Sequence, residues 1–296
     1  MKDKYFIQPT DILFNEAPAH FIWRVDEQGY AYRHNIATFL PPHKFSNLEN
    51  DFPGAKFYEL NLAPGQYYPR MARPLGLEHG DSPGYNLEKG IEALSLRSTS
   101  TGQLHALIER FESICRIIHP ISENLCCYGH EIRSILILAC TEIEAQWRGI
   151  LKSNAIQFDN MKTTHYVKLL PAMKLDEYEV TLTYYPWLEA LSPFKGWSTT
   201  NPTKSLNWYH AYNLVKHDRE EHFKEATLHA AMQAVAGCFI VLCAQYGWSF
   251  ALRGEMGERA FFRLTKVPTW SLAEMYVRSC ELEKVNYPFV FHKNKA

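Results

Sequence analysis

The sequence predicts an α+β protein, mainly α, in which a helical bundle follows a small β- and proline-rich N-terminal region. Three observations carry this. After Ser98, apolar residues recur at three- and four-residue steps over long runs. The first 95 residues instead hold short apolar-aromatic runs bounded by Gly, Pro and Asn, and nine of the chain's 16 prolines. Near residues 178–184 and 260–266 the pattern turns to β-type segments that could pair at the side of the bundle as a hairpin or small sheet.

In the first region, 19-AHFIWRV-25, 30-YAYRHN-35 and 56-KFYELNL-62 read as strands or extended segments. Residues 63–90, with APGQYYPR, RPLG and GDSPGYN, read as a long irregular loop or linker. A chain of 296 residues leaves room for about two domains, and the change of texture places the boundary between 1–95 and 96–296. The helical core spans about 100–250.

The helical elements follow in order. In 103-QLHALIERFESICRIIHP-120, Leu104, Leu107, Ile108, Phe111, Ile114, Cys115 and Ile118 share one face, with Thr101 as the expected N-cap and Pro120 as the stop. In 130–153, Ile132, Leu136, Cys140, Ile143, Trp147 and Ile150 form one stripe, so two antiparallel helices joined through 120–129 are expected. An aromatic-rich loop, PWLEALSPFKGW, precedes a helix over 205–223 with Trp208, Tyr212 and Val215 in register. The next helix, 224–247, is apolar almost all round after residue 230, as a central helix is, and Gly247 suits its C-terminal end. A capped helix over SLAEMYVRSCELEK is expected to join the bundle at the end of the chain.

Composition and charge narrow the function classes. Lys+Arg 31 against Asp+Glu 32 excludes a global basic field of the kind nucleic-acid and acidic-membrane binders carry, and leaves local patches. Seven cysteines with no CxxC pair, four of them inside apolar runs, point to free thiols and a reducing compartment. The first residues lack the apolar stretch of a signal peptide, and the apolar run 234–244 is shorter than a membrane span, so a cytoplasmic protein is expected.

Common catalytic signatures are absent. There is no GxGxxG, GxxxxGK[ST] or GxSxG, and His130-Glu131 lacks the second histidine of HExxH. Glu142 and Glu144, two residues apart, are splayed on a helix and read as a solvated face. The sequence therefore implies no cofactor and no metal. Basic and aromatic residues interleave near the N-terminus (Arg24, Tyr30, Tyr32, Arg33, His34, then Tyr67, Tyr68, Arg70, Arg73), a pattern that suits either base stacking or protein contacts.

The densest polar cluster is Asn213, Lys216, His217, Asp218, Arg219, Glu221 and His222, beside Trp208, Tyr209 and Tyr212. Histidine can exchange a proton with a 2′-hydroxyl or a leaving oxygen near neutral pH. Lys216 and Arg219 can hold a phosphate and stabilise charge on it, and Asn213 lies one turn before His217 on the same helix face. The same residues also suit a solvated helix end in which His217 caps carbonyls.

At these residues the chain resembles the HEPN superfamily (higher eukaryotes and prokaryotes nucleotide-binding), helical bundles that include metal-independent endoribonucleases of toxin–antitoxin and defence systems. Their signature is an Arg, a polar residue that is often Asn, three further residues and a His. In 212-YNLVKH-217, Asn213 and His217 fall at the right offset, and Tyr212 stands where the arginine belongs. The wider segment from Trp208 to Leu242, the run SILILACTEIEAQWRGILK and the PFKGW loop are also similar to uncharacterised bacterial proteins of this kind. The resemblance covers roughly residues 100–250. It implies RNA as substrate or ligand, His217 as general acid or base, Asn213 as its orienting residue, and Lys216 and Arg219 as phosphate-binding cations. It also implies a homodimer with the motif helices at the two-fold axis, where Trp208, Tyr209, Tyr212 and Trp197 would form the apolar part. A non-catalytic module that binds a partner protein stands beside this reading, because tyrosine cannot supply the arginine's charge.

Overall fold

The computed structural model describes residues 3–14, 17–33, 43–75, 82–85, 90–247 and 260–278. The protein is α+β and mainly α, and it divides into two compact units. The first comprises residues 1–69, 73–87 and 270–288; the second comprises 70–72, 88–269 and 289–296.

The first unit is built on an antiparallel sheet of five strands in the order β4-β3-β2-β1-β5. These are β1 (Lys4–Phe14), β2 (Ala17–Val25), β3 (Tyr30–Arg33), β4 (His43–Lys44) and β5 (Tyr58–Glu59). β1 was not expected from the sequence, since Pro9 interrupts its alternation. Its place in the sheet explains the tolerance. β5 pairs only with Phe6 and Ile7, and the register with β2 shifts between Pro9 and Leu13, so the missing N–H falls at an irregularity. Alternation then sends Trp23 and Val25 to one face with Ala31 and with Leu48 of the short helix α1 (Leu48–Asp51), and Ile7 and Ile22 to the other with Leu60, Met275 and Val277. The β2–β3 turn is set by Asp26, whose Oδ1 accepts from Gln28 N and Tyr30 N, while Gly29 takes φ 81°.

Two expectations for this region are corrected. Residues 63–75 are irregular, yet Tyr67, Arg70, Met71, Ala72, Arg73 and Leu75 are buried, and β6 (Arg73–Leu75) pairs with β7 (Ser82–Tyr85). A linker would leave them in water. The expected C-terminal helix is also replaced. Ser271 and Glu274 do form a reciprocal cap, but it closes a single 3₁₀ turn, Leu272–Glu274. Met275 is extended, Tyr276 N donates to Pro74 O, and Met275, Tyr276 and Val277 bury their side chains in the first unit. Residues 279–284 of that segment lie outside the described residues.

In the second unit, α2 (Ile91–Ile117), α3 (His130–Ser153), α6 (Asn207–His217) and α8 (Leu228–Tyr246) pack on one another. All six residues expected to form the buried stripe of α3 are buried. The N-terminus of α2 lies a full ten residues before Thr101. Thr101 sits inside the helix with its hydroxyl donating to Arg97 O, because Ile91, Leu94 and Leu96 extend the helix without extending its buried face. Short helices α4 (Thr163–Tyr166) and α5 (Leu169–Met173) follow α3, and β8 (Glu179–Leu182) pairs antiparallel with β9 (Phe262–Lys266) as the segment types suggest. Trp147 centres an aromatic cluster, with Trp197 of the PFKGW loop stacked at 4.7 Å. α8 is 19 residues long and apolar enough to cross a membrane by length and composition, but its side chains are buried inside the protein.

A polar chain runs through this apolar interior. Arg70, in the left-handed region at φ 56°, donates from Nε to Gln245 Oε1 at 2.9 Å; Gln245 donates to Gln146 Oε1 at 3.0 Å, and Gln146 to Glu142 Oε1 at 2.9 Å. The Arg70 guanidinium lies where a side chain on Gly149 would begin. Adding that methyl must displace a buried, hydrogen-bonded cation. Gly149→Ala is therefore expected to cost about 1–3 kcal/mol in chemical denaturation, and clearly less in an Arg70→Met background. Equal losses in both backgrounds would show that Arg70 does not impose the glycine.

Candidate functional site: the end of α6

α6 ends at His217 for a local reason. Asp218 leaves the helical region (φ −140°, ψ 86°) and its Oδ1 accepts from Glu221 N, capping the four-residue helix α7 (Arg219–His222). The single helix expected over 205–223 is thus two elements, and the motif pair Asn213/His217 lies on a different one from Arg219 and His222. The expected start of the next helix at 224 moves to Leu228, where Thr227 Oγ1 accepts from Ala230 N.

The cluster comes together in part. Lys216, His217, Asp218, Arg219 and Glu221 are exposed, and His222 is half-buried. No hydrogen bond or ion pair engages the His217 side chain among the described residues, so the imidazole is open to a ligand. Asn213 does not orient it: its Nδ2 donates to Tyr209 O, one turn back on the same helix, at 2.8 Å. Lys216 Nζ donates to the Tyr212 hydroxyl at 2.7 Å and lies 4.9 Å from the centre of that ring. This bond holds the Lys216 ammonium above its ordinary pKa. Asp218, Glu221 and His222 bring their ligand atoms within 4.8 Å of one another, a set able to hold a divalent cation.

The expected aromatic interface is corrected. Trp208, Tyr209 and Trp197 are buried, and Tyr212 is 1 % exposed. Trp208 donates to Pro193 O and Trp197 to Pro202 O, and Tyr209 packs against Trp147 and Tyr212. These rings belong to the unit's own core, so they offer no face to a second copy. The N-terminal basic–aromatic pattern is also redistributed. Tyr67, Arg70 and Arg73 are buried, the Arg33 guanidinium sits 3.4 Å over Phe21 and that of Arg24 5.0 Å over Tyr32; His34 lies outside the described residues.

Three groups at the site escaped the sequence reading. Glu144 is not simply solvated: its Oε1 accepts from the buried Tyr209 hydroxyl at 2.6 Å. Arg133 of α3 donates from Nη2 to Val215 O at 3.0 Å, placing a cation at the negative end of α6. His130, at the start of α3, packs its ring against Phe223 just after α7, with centroids 4.9 Å apart. The i,i+2 spacing of Glu142 and Glu144 did predict that they point apart, and they do: Glu142 bonds Gln146 and Glu144 bonds Tyr209.

Comparison with protein-family models, curated proteins and solved structures returned no match. The chemistry of the site therefore rests on its own geometry: a free imidazole, two flanking cations and a third cation on the neighbouring helix.

Burial first, and then the bond to Glu144, push the Tyr209 hydroxyl well above its ordinary pKa, and burial does the same at Tyr178. The folded values lie above the unfolded one, so this contribution is complete below about pH 10 and is lost as pH rises through it. Urea denaturation between neutral pH and pH 11 is expected to show that fall. Tyr209→Phe should lower stability by about 1 kcal/mol at neutral pH and make the alkaline fall shallower. An unchanged alkaline slope would show that Tyr209 does not contribute to it.

Proposed function

We propose that the exposed end of α6 with α7 binds RNA through its phosphates, and that His217 acts as the general acid or base of a metal-independent strand scission, in the manner of a HEPN-like ribonuclease. The observation that supports this most is the unengaged, exposed His217 between the exposed cations Lys216 and Arg219. A 2′-hydroxyl whose proton is taken by the imidazole attacks the adjacent phosphorus. The leaving 5′-oxygen is protonated in turn, and the products are a 2′,3′-cyclic phosphate and a free 5′-hydroxyl. Lys216 and Arg219 stabilise charge on the phosphoryl oxygens.

Tyr212 at the arginine's position supports this reading once its partner is considered. Its hydroxyl accepts from Lys216 Nζ, so a lysine ammonium stands at the tip of the side chain that replaces the arginine. Tyrosine and lysine together supply the charge and the reach of one long basic side chain. The Asn213 amide, bound to its own helix, favours the second reading, a module that binds RNA or a partner protein without cutting.

Purified protein incubated with mixed RNA in EDTA separates the two. Under the first reading cleavage proceeds in EDTA, and His217→Ala lowers its rate by roughly 10²- to 10⁴-fold without lowering the melting temperature. Arg219→Ala and Lys216→Ala lose rate as well, whereas Arg263→Ala, on β9, does not. Absence of cleavage by the unsubstituted protein, with RNA still bound and Lys216→Ala weakening it, leaves the binding module. Cleavage that EDTA abolishes would assign the chemistry to a cation at Asp218, Glu221 and His222 instead.

A further inference from the structure

The ends of α2 and α3 that meet across the 118–129 connection enclose a cavity of about 390 Å³, open to solvent. Its walls are apolar, with Ile114 and Ile135 at the back. Ile117 and Tyr128 stand at the mouth, 86 % and 54 % exposed. The polar lining groups are Arg110, Ser113, Tyr128, His130, Ser134 and the carboxylate of Glu131. A small apolar chamber with a few convergent polar groups is the usual form of a small-ligand site.

Three contacts tie this chamber to the end of α6 and the segment after it. The rings of Tyr128 and His130 both pack against Phe223, which directly follows α7, at 5.7 and 4.9 Å. One turn along α3 from His130, Arg133 donates to Val215 O, two residues before His217. The first turn of α3, with Tyr128 just before it, therefore touches both the cavity and the segment that carries the cationic cluster. A ligand that used both needs a flat, largely apolar body joined to anionic groups.

We infer that this cavity receives a base of the RNA strand whose phosphates lie on Lys216, His217 and Arg219. The inference rests on the RNA reading above and names how that site selects its substrate. The cavity has room for a heterocycle and more, the isoleucines can enclose its faces, and Tyr128 offers an aromatic face at the entrance. His130 and Arg110 supply hydrogen-bonding groups for the base edge, which an acyl chain would leave unused. Lys216 and Arg219, exposed on the segment that packs against Tyr128 and His130 through Phe223, complement the phosphates of that strand. A second copy of the chain, inserting an apolar helix, is the competing occupant.

The test uses the full chain and 2′-O-methyl hexaadenylate, which binds like RNA and cannot be cut, against an abasic 2′-O-methyl hexamer with the same backbone. Affinities are measured by fluorescence anisotropy. The expected result is an affinity for hexaadenylate at least about tenfold above that of the abasic strand, as one buried base predicts. Ser113→Trp, at an exposed position of the lining, should remove that margin while leaving abasic binding unchanged. Ile117→Ser, which opens the wall, is the second variant and should reduce the margin in part. Lys216→Ala should weaken both strands equally. Equal affinity for the two strands, or a margin that survives Ser113→Trp, overturns the inference and leaves the phosphate site standing. Failure of both strands to bind removes the RNA reading, and the inference with it. A dimer in light scattering that Ser113→Trp dissociates would give the cavity to the second copy.

Discussion

A helix that is apolar on every side can be stable in this protein only if other elements surround it, and α8 imposes that condition on the second unit. Of its 19 residues, all but His229 and Gln233 are buried. α2, α3 and α6 each contact it. Small side chains make the approach close: a methyl on Gly237 would already press on Ile143 of α3 and approach Phe194. The free thiols fit the same rule. Cys140, Cys238 and Cys243 are fully buried, and burial pushes the Cys115 thiol up to about 12, so these cysteines act as small hydrophobes. One polar chain, Arg70 to Gln245 to Gln146, enters this interior. It ends at Glu142, where the interior gives way to the α3 surface.

Because α8 fills the centre, α6 must lie with its aromatic stripe inward. Trp208, Tyr209 and Tyr212 are then buried, and the helix can expose functional groups only along its opposite face and at its end. This is why the polar cluster is displayed where it is. Its position is fixed from α3 by two bonds, Tyr209 to Glu144 in the first turn of α6 and Arg133 to Val215 O at the end. Both partners lie on a helix whose own core stripe is buried, so the end of α6 is presented on a firmly packed base.

These relations explain how far the sequence could be read. The stripes of α3 and α6 and the all-round apolarity of α8 were legible, since helical periodicity is written in neighbouring residues. The β8–β9 pair was legible from residue type. Long-range consequences were not. Pro9 hid β1, because only the short reach of β5 and the shifted β1–β2 register make a proline acceptable there. Ser271 and Glu274 gave a true cap signal, but burial of Met275, Tyr276 and Val277 in the first unit stops the helix after one turn. At the candidate site, Asn213, Lys216, His217 and Arg219 were named from spacing. Glu144, Arg133 and His130 were not, for they lie 65 to 93 residues from their partners in sequence and meet the cluster through the α3–α6 and α3–Phe223 contacts. The inward stripe of α6 should have signalled that Trp208 and Tyr212 were core residues rather than an interface, since both fell on the predicted apolar face.

The relation of Tyr212 to Lys216 bears on how such a site can change without losing its charge. An arginine at position 212 would carry a delocalised cation from a residue that α8 and α3 require to be largely buried. Tyrosine satisfies the burial with its ring and keeps a polar tip, whose hydroxyl is buried and bonded. That tip binds an ammonium from the next turn of the same helix, where four residues of spacing place the two side chains on one face. Lys216 itself remains exposed. What is lost is the planar fork that grips two phosphate oxygens at once. What is kept is a cation held at one point by a short hydrogen bond. On the proposed RNA reading, such a centre binds a backbone at a defined phosphate, and it leaves selection among strands to whatever recognises the base.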